Sequence, residues 1–450
     1  MYNNESDTRF DTFRPIHYLG SKLRLLPEIS QAIKQVAPNA KVVCDLFAGS
    51  GTVSHYLSST YTIIATDVQE YSRVLCEGML FPLSRAIHLE EVKKTLEASQ
   101  FRQTITNVFE PILAYENNAI SEFSSKDSSK LLNLISYGSF IDYEVNRKLS
   151  DDVEFNRIIL ETYKNVIGLG LDKNSNAMNT RYFGGLYFSY NQAIDIDCIS
   201  EYAFSLPKYD QSVVLSALLS TVSDIVNTIG KQFAQPLQLR ANDGRLKNHL
   251  KQKIFLDRSI SIIDLFIQWL DRYMLMQKDR KSHIVKTMDV LESGKELSKY
   301  DIDVIYADPP YTRYHYSRYY HVLETMCKRD NPNISLTDRG DTSQLSRGKY
   351  RSDRHQSAFC IASKAEEAFE KLFRITASMK CPLVLSYSPY DANKAVSPRL
   401  KTIDELLSIA RKFYTSIELK DISKFNHSKL NSSDKLLNTS EISEILILCK

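Results

Sequence analysis

The chain has 450 residues, 43% of them hydrophobic and 25% charged, with 57 Lys and Arg against 54 Asp and Glu and a net charge of +3. That length exceeds one ordinary core and predicts two domains, or one domain with a large insertion; the mild charge leaves room for a local basic groove without announcing a nucleic-acid partner. Seven dispersed cysteines without a CxxC pair, nine histidines without an HxxxH or HExxH pattern, a polar N-terminus and no apolar run of roughly 18 residues argue against a metal, a leader and a membrane span, so a reduced, cytoplasmic setting is expected.

Residues 13–26 (FRPIHYLGSKLRLL) come first. Residues 18–22 read as a glycine turn, with Ser21 as a helix cap and a helix from Lys22 to about Val36. Residues 41–47 (KVVCDLF) are a buried-strand pattern that runs into Ala48-Gly49-Ser50-Gly51-Thr52. The glycines permit a sharp turn and close approach of the backbone to a ligand, and a helix over 52–58 then aims its N–H groups at that ligand. The third glycine of GxGxxG is absent, since Ser54 stands there. A pyrophosphate cradle, and with it an NAD oxidoreductase, is therefore disfavoured. Residues 61–67 form the next strand, and its terminal Asp67 suits the two hydroxyls of a ribose. A glycine turn plus this acid predicts an adenosyl-containing cofactor.

From 72 to 280 the strand–helix alternation lapses. Helical periodicity is seen at 89–113, 153–166, 213–229 and 260–276, residues 121–130 read as an exposed loop, and 181–188 is an aromatic segment about a Gly-Gly turn. Basic residues gather at Arg240, Arg245, Lys247, Lys251 and Lys253, and again at Lys278, Arg280, Lys281 and Lys286. This is read as an inserted, mainly helical domain, its cations being either DNA contacts or solvated helix faces. Alternation resumes with a strand at 284–289 ending in Asp289 and another at 302–307. Helix 364–377, strand 381–387, helix 403–413, strand 414–419, a polar loop at 426–440 and strand 442–449 follow. The last two strands suggest an antiparallel hairpin closing a mostly parallel sheet.

The strand at 302–307 stops at Asp308-Pro309-Pro310-Tyr311. Two prolines cannot continue a ladder, so the chain turns out at the carboxyl end of the strand, where open α/β sheets hold ligands. It presents a carboxylate, a free carbonyl on Pro309 and an aromatic ring, which together suit an exocyclic amine on a flat base. A rigid turn with Tyr311 packed beneath it is the alternative. The following residues interleave Arg313, Tyr316 and Arg318, which suit phosphate contact and base stacking or, alternatively, tyrosines packed on the sheet. Residues 339–355 carry Arg339, Arg347, Lys349, Arg351 and Arg354 and read as a flexible DNA-contacting or lid segment.

With these pieces assembled, the chain resembles the adenine-N6 DNA methyltransferases that use S-adenosylmethionine, in the alpha-group (D12/Dam-like) order. The resemblance rests on YLGSK at 18–22, DLFAGSG at 45–51, Asp67, Asp289 and ADPPY at 307–311, and covers about half the chain. It implies a mostly parallel, doubly wound class I methyltransferase sheet, split into 1–71 (cofactor loop) and 281–450 (the DPPY half). The insertion 72–280 would be the target-recognition region. It also implies roles. Tyr18 and Lys22 would lie by the methionine end of the cofactor, with Lys22 alternatively on the DNA. Asp45, Phe47, Gly49 and Gly51 would shape the cofactor loop, Asp67 would take the ribose and Asp289 the adenine amine. Asp308, Pro309, Pro310 and Tyr311 would hold the target base next to the cofactor, and Arg313, Tyr316, Arg318, Arg347, Lys349, Arg351 and Arg354 would contact nucleic acid. The expected partner is double-stranded DNA, with a restriction or defence-system protein as a further one. The rival readings are an RNA amino-methyltransferase and a DNA-binding subunit that keeps the fold without turnover.

Overall fold

The computed structural model describes residues 13–124, 129–239, 247, 250–276, 278, 281–339, 342–388, 399–422 and 444–450. Seven strands form one sheet: β1 (Val42–Asp45), β2 (Thr62–Asp67), β3 (Ile284–Thr287), β4 (Val304–Ala307), β7 (Leu383–Tyr387), β8 (Ile417–Asp421) and β9 (Ile445–Cys449). β5 (Leu336–Arg339) and β6 (Thr342–Leu345) make a separate antiparallel ribbon. The sheet order is β3-β2-β1-β4-β7-β9-β8. The first five are parallel, whereas β9 runs antiparallel to both β7 and β8, so β8 points with the parallel set. The antiparallel ending expected from sequence is therefore a single reversed strand slotted between two others.

Alternate residues of the central strands enter different cores, because successive side chains point to opposite faces. Val43, Ile63, Val304, Tyr306 and Leu446 pack on one face with Leu26, Ile29 and Ile33 of α1 (Leu26–Val36) and with Val53 and Leu57 of α2 (Thr52–Ser58). Cys44, Ile64, Ile305, Ala307 and Ile447 pack on the other with Phe369, Leu372 and Phe373 of the helix Ala365–Ser378 and with Leu406 and Ile409 of the helix Ile403–Ala410. The continuous apolar runs of these strands follow from being covered on both faces.

Between β2 and β3 the described chain is helical. α3 (Glu70–Leu80) packs against β2 and β3 and also against the helix Lys208–Ile225, so a division at residue 72 falls inside an element shared by both parts. The helix Tyr190–Phe204 had no amphipathic signal because Gln192 through Ser200 are all buried; it is marked only by its Ser189/Gln192 capping box. Residues 89–113 make three helical segments where one run was expected. The helix expected over 213–229 spans Lys208–Ile225. The loop expected at 121–130 is helix at both ends, Glu110–Ser124 and Ser129–Tyr137. Ser21 caps nothing: a short turn at Leu23–Leu25 precedes α1, and neither start has a side-chain cap. No helix among the described residues is long and apolar enough to cross a membrane, and none of their His, Cys, Asp or Glu side chains cluster as a metal site. The polar loop expected at 426–440 lies outside the described residues.

Candidate active site

β1 and β4 are neighbours, with Asp45 in register with Tyr306, so the loops leaving their carboxyl ends lie side by side. The loops after β2 and β3 join them, and one pocket opens among all four. Its wall includes Tyr18, Lys22, Phe47, Gly49, Asp67, Asp289, Asp308, Pro310 and Tyr316. Asp45, Gly51, Pro309 and Tyr311 are not on that wall.

Gly49 sits at φ +54°, and a side chain there would place its Cβ 2.6 Å from the Tyr18 hydroxyl. Its N–H donates to Asp67 Oδ2 at 2.9 Å, and the Gln69 N–H donates to Asp67 Oδ1 at 2.9 Å. Burial raises the Asp67 carboxyl to about 6. Asp45 lies beneath the loop and accepts from the Ser54 hydroxyl at 2.7 Å; burial raises it to about 7. The serine in place of a third glycine thus holds a buried carboxylate. Gly51 (φ +75°) faces the core, where a Cβ would meet Met79 at 2.4 Å. Both residues therefore shape the pocket from behind it.

Asp289 is the N-cap of the short helix Val290–Ser293, accepting from the Leu291 N–H at 2.9 Å. Phe47 meets Phe359 edge to face, centroids 5.5 Å apart. With Val290 and Leu291 they form an apolar slot beside Asp289.

Asp308 stands at the end of β4 and is paired with Lys22 Nζ at 3.1 Å. The same ammonium lies 3.1 Å from Glu444 Oε1. Burial by itself would lower the Lys22 pKa, but Asp308 and Glu444 hold it well above its ordinary value. At 5% exposure Lys22 is a floor of the pocket and has no reach to a DNA backbone. The Tyr311 ring packs on Tyr387 (5.2 Å) and has the Lys22 ammonium (5.5 Å) and the Arg399 guanidinium (4.8 Å) over it; burial keeps its phenol protonated.

The residues expected to contact nucleic acid divide. Tyr316 belongs to the pocket: its ring lies against Tyr18 (5.4 Å) and its hydroxyl donates to the Leu19 carbonyl at 3.2 Å. Arg313 is exposed. Arg318 donates to the Tyr350 hydroxyl at 3.1 Å and, like Arg354, lies over its ring. Arg347 is exposed and donates to the Leu237 carbonyl at 3.2 Å. Lys349 and Arg351 are buried, paired with Asp142 (2.8 Å) and with Asp330 and Asp353 (2.6 and 2.8 Å). The expected flexible lid is instead the β5–β6 ribbon and a tail pinned by these pairs, because Lys349 and Arg351 found the carboxylates of Asp142 and Asp330 from elsewhere in the chain. Arg240, Arg245, Arg280 and the Lys251 side chain lie outside the described residues. Lys253 pairs with Asp257 at 2.6 Å, Lys281 donates to the Ser58 carbonyl at 2.7 Å and Lys286 pairs with Glu296 at 3.3 Å.

Several pocket residues carried no signal in sequence. Gln69 Oε1 and His315 Nδ1 are buried at the pocket without a hydrogen-bond partner among the described residues. Buried polar atoms of this kind ask for a ligand. His355 and Phe359 arrive from beyond the ribbon. Glu444 had one visible mark, an acid directly before an apolar strand.

Residues 18–147 match a family described as D12 class N6 adenine-specific DNA methyltransferase. The chain is 25% identical over 438 residues to modification methylase LlaI of Lactococcus lactis subsp. lactis, covering 97% of this chain and 55% of that protein. It is 26% identical over 365 residues to type II methyltransferase M.NlaIII of Neisseria lactamica, covering 80% of each. With modification methylase StsI of Streptococcus sanguinis it shares 23% over 443 residues, 96% of this chain and 51% of that protein. The chain thus spans about half the length of two of these relatives.

Proposed function

We propose, from the premise that the chain belongs to the D12 class of N6 adenine-specific DNA methyltransferases, that it transfers a methyl group from S-adenosylmethionine to N6 of an adenine flipped out of duplex DNA, as the modification enzyme of a restriction-modification pair. One observation carries the reading: Asp308 faces the same pocket as Gly49 and Asp67, so an acceptor for an amine borders a cradle for an adenosyl group.

The residues present fit that cofactor. Gly49 lets the backbone come close, Asp67 and the unsatisfied Gln69 Oε1 supply acceptors for ribose hydroxyls, and Asp289 beside the Phe47–Phe359 slot suits an adenine ring and its amine. When bound, S-adenosylmethionine supplies an electrophilic methyl group and leaves as a neutral thioether. The chain's own contribution is to hold the amine. Adenine N6 is a poor nucleophile because its lone pair is delocalised into the ring. A hydrogen bond from N6–H to the Asp308 carboxylate favours the pyramidal, increasingly positive nitrogen that forms during attack. The surplus N6 proton then departs toward Asp308. A base inside a duplex cannot reach this pocket, so it is flipped; Tyr311, packed on Tyr387 off the pocket wall, braces the loop that carries Asp308. The helical region between β2 and β3 reads the target, and the cations at Arg313, Arg318, Arg347 and Arg354 face the phosphates.

The test is incubation with methyl-tritiated S-adenosylmethionine and either duplex DNA or RNA of mixed sequence, followed by digestion to nucleosides. Label in N6-methyldeoxyadenosine is expected. Label in RNA alone, or none, would overturn the reading.

A further inference from the structure

Because β9 runs antiparallel to β7, the start of β9 comes to the sheet edge where the parallel strands end. The residue delivered there is Glu444, 0% exposed. Its Oε1 accepts from the Ser386 hydroxyl on β7 at 2.7 Å and lies 3.1 Å from Lys22 Nζ, which in turn lies 3.1 Å from Asp308 Oδ1. One buried ammonium is therefore shared by two carboxylates, and only Asp308 faces the pocket.

A buried carboxylate is costly unless it is paired, and Lys22 would already be neutralised by Asp308 alone. A second acid is not needed to bury the lysine. It changes the charge that the pocket sees. A Lys22–Asp308 pair offers little attraction to a nitrogen becoming positive, whereas a second anion on Lys22 makes the cluster one charge more negative than that pair.

We propose that Glu444 is a positioning residue for methyl transfer, which draws the Lys22 ammonium partly off Asp308 so that the Asp308 carboxylate keeps its full pull on the reacting amine. The assignment rests on the methyltransferase reading above. In the step concerned, the N6 lone pair forms the bond to the methyl carbon, the electrons of the carbon–sulfur bond go to sulfur, and N6 carries the positive charge until it loses one proton to Asp308. Glu444 touches none of these atoms. Ser386 fixes where it points.

Among the described residues, the groups facing this triad include the Tyr306, Tyr311 and Tyr316 phenols, all kept protonated by burial, Asp45 in register with Tyr306, and the Arg399 guanidinium over Tyr311. Asp308 must be ionised to accept from N6; because Asp45 and Asp67 titrate in the same range, it is the displacement of the acid limb of the kcat profile between wild type and variant that reports on it.

Wild-type protein is first required to methylate adenine in duplex DNA; if it does not, the methyltransferase reading fails, whatever Glu444 does. Given that activity, Glu444→Gln is expected to lower kcat by roughly 10- to 100-fold, less than the 100- to 1,000-fold typical of losing a group that touches the developing charge. Its acid limb should move to lower pH, since Lys22 now pairs with Asp308 alone and stabilises its ionised form. Cofactor affinity, read by titration calorimetry, should change far less than kcat. Glu444→Asp should return the acid limb toward the wild-type position. If Glu444→Gln does not fold, Ser386→Ala decides: a smaller fall in kcat with a shift of the limb in the same direction is expected. An unchanged kcat, or a loss equal at every pH with the limb in place, would overturn the proposal, because a merely structural carboxylate would act that way.

Discussion

Among the described residues, Lys22 and Arg351 are buried cations each held between two carboxylates, and their surroundings differ. Arg351 makes paired hydrogen bonds to Asp330 (2.6 and 2.6 Å) and to Asp353 (3.0 and 2.8 Å). Both of its acids are about half exposed, at 41% and 57%, and the cluster adjoins the β5–β6 ribbon, where Arg351 bridges to Ile334. Lys22 sits between Asp308 and Glu444, exposed by only 20% and 0%, and its cluster opens on the pocket. Arginine's planar fork saturates its partners and locks a loop. The lysine's compact charge pairs with Asp308 at the pocket wall. One cluster thus rivets a loop, whereas the other borders the candidate site's pocket.

The largest expected effect tests the open cluster. Asp308→Ala should lower methyl transfer by at least about 1,000-fold, the upper range for losing a group that stabilises developing charge, while cofactor binding by calorimetry stays near normal. Near-normal turnover would remove the distinction between the clusters.

A carboxylate held by a hydroxyl rather than a cation sharpens the contrast. Asp45, partnered by Ser54, is raised from 3.8 to about 7 by burial. A folded pKa above the unfolded one means that the native state keeps a proton the unfolded chain has released. Its contribution is full below about pH 4 and is lost as pH rises through about 7, a change on the order of 4 kcal/mol. Urea titrations should show wild-type stability falling across that window and a shallower fall in Asp45→Asn. Part of the slope will persist, because Asp67, raised to about 6, titrates in the same range with the same sign.

Breaking the rivet should be milder still. Arg351→Met leaves Asp330 and Asp353 unpaired but half in water, so a loss of about 1–3 kcal/mol in urea unfolding is expected, with kcat per folded molecule little changed. A collapse of kcat without loss of stability would make this cluster catalytic after all. The smallest effect separates surface from anchor: Arg313→Ala should flatten the salt dependence of DNA binding by about one phosphate contact, a slope change near 0.9, whereas Lys349→Met, already committed to Asp142, should leave the slope alone.

What the sequence determined by itself was local. The apolar runs ending in Asp45, Asp67 and Asp308, the glycine turn at Gly49 and the two prolines after Asp308 each carry their consequence in neighbouring residues, since strand burial, positive φ and the loss of an N–H are short-range effects. The order of those pieces also sufficed to expect a sheet with its ligands at one edge. Long-range pairing decided the rest. Nothing near Lys349 or Arg351 in the chain announces that Asp142 or Asp330 will bury their charges, and so cations read as DNA contacts became anchors. Nothing near Tyr316 says it will close against Tyr18. Glu444 reaches Lys22 across 422 positions only because one strand is reversed and inserted beside β7, and strand order and direction are set by how the whole sheet buries its faces.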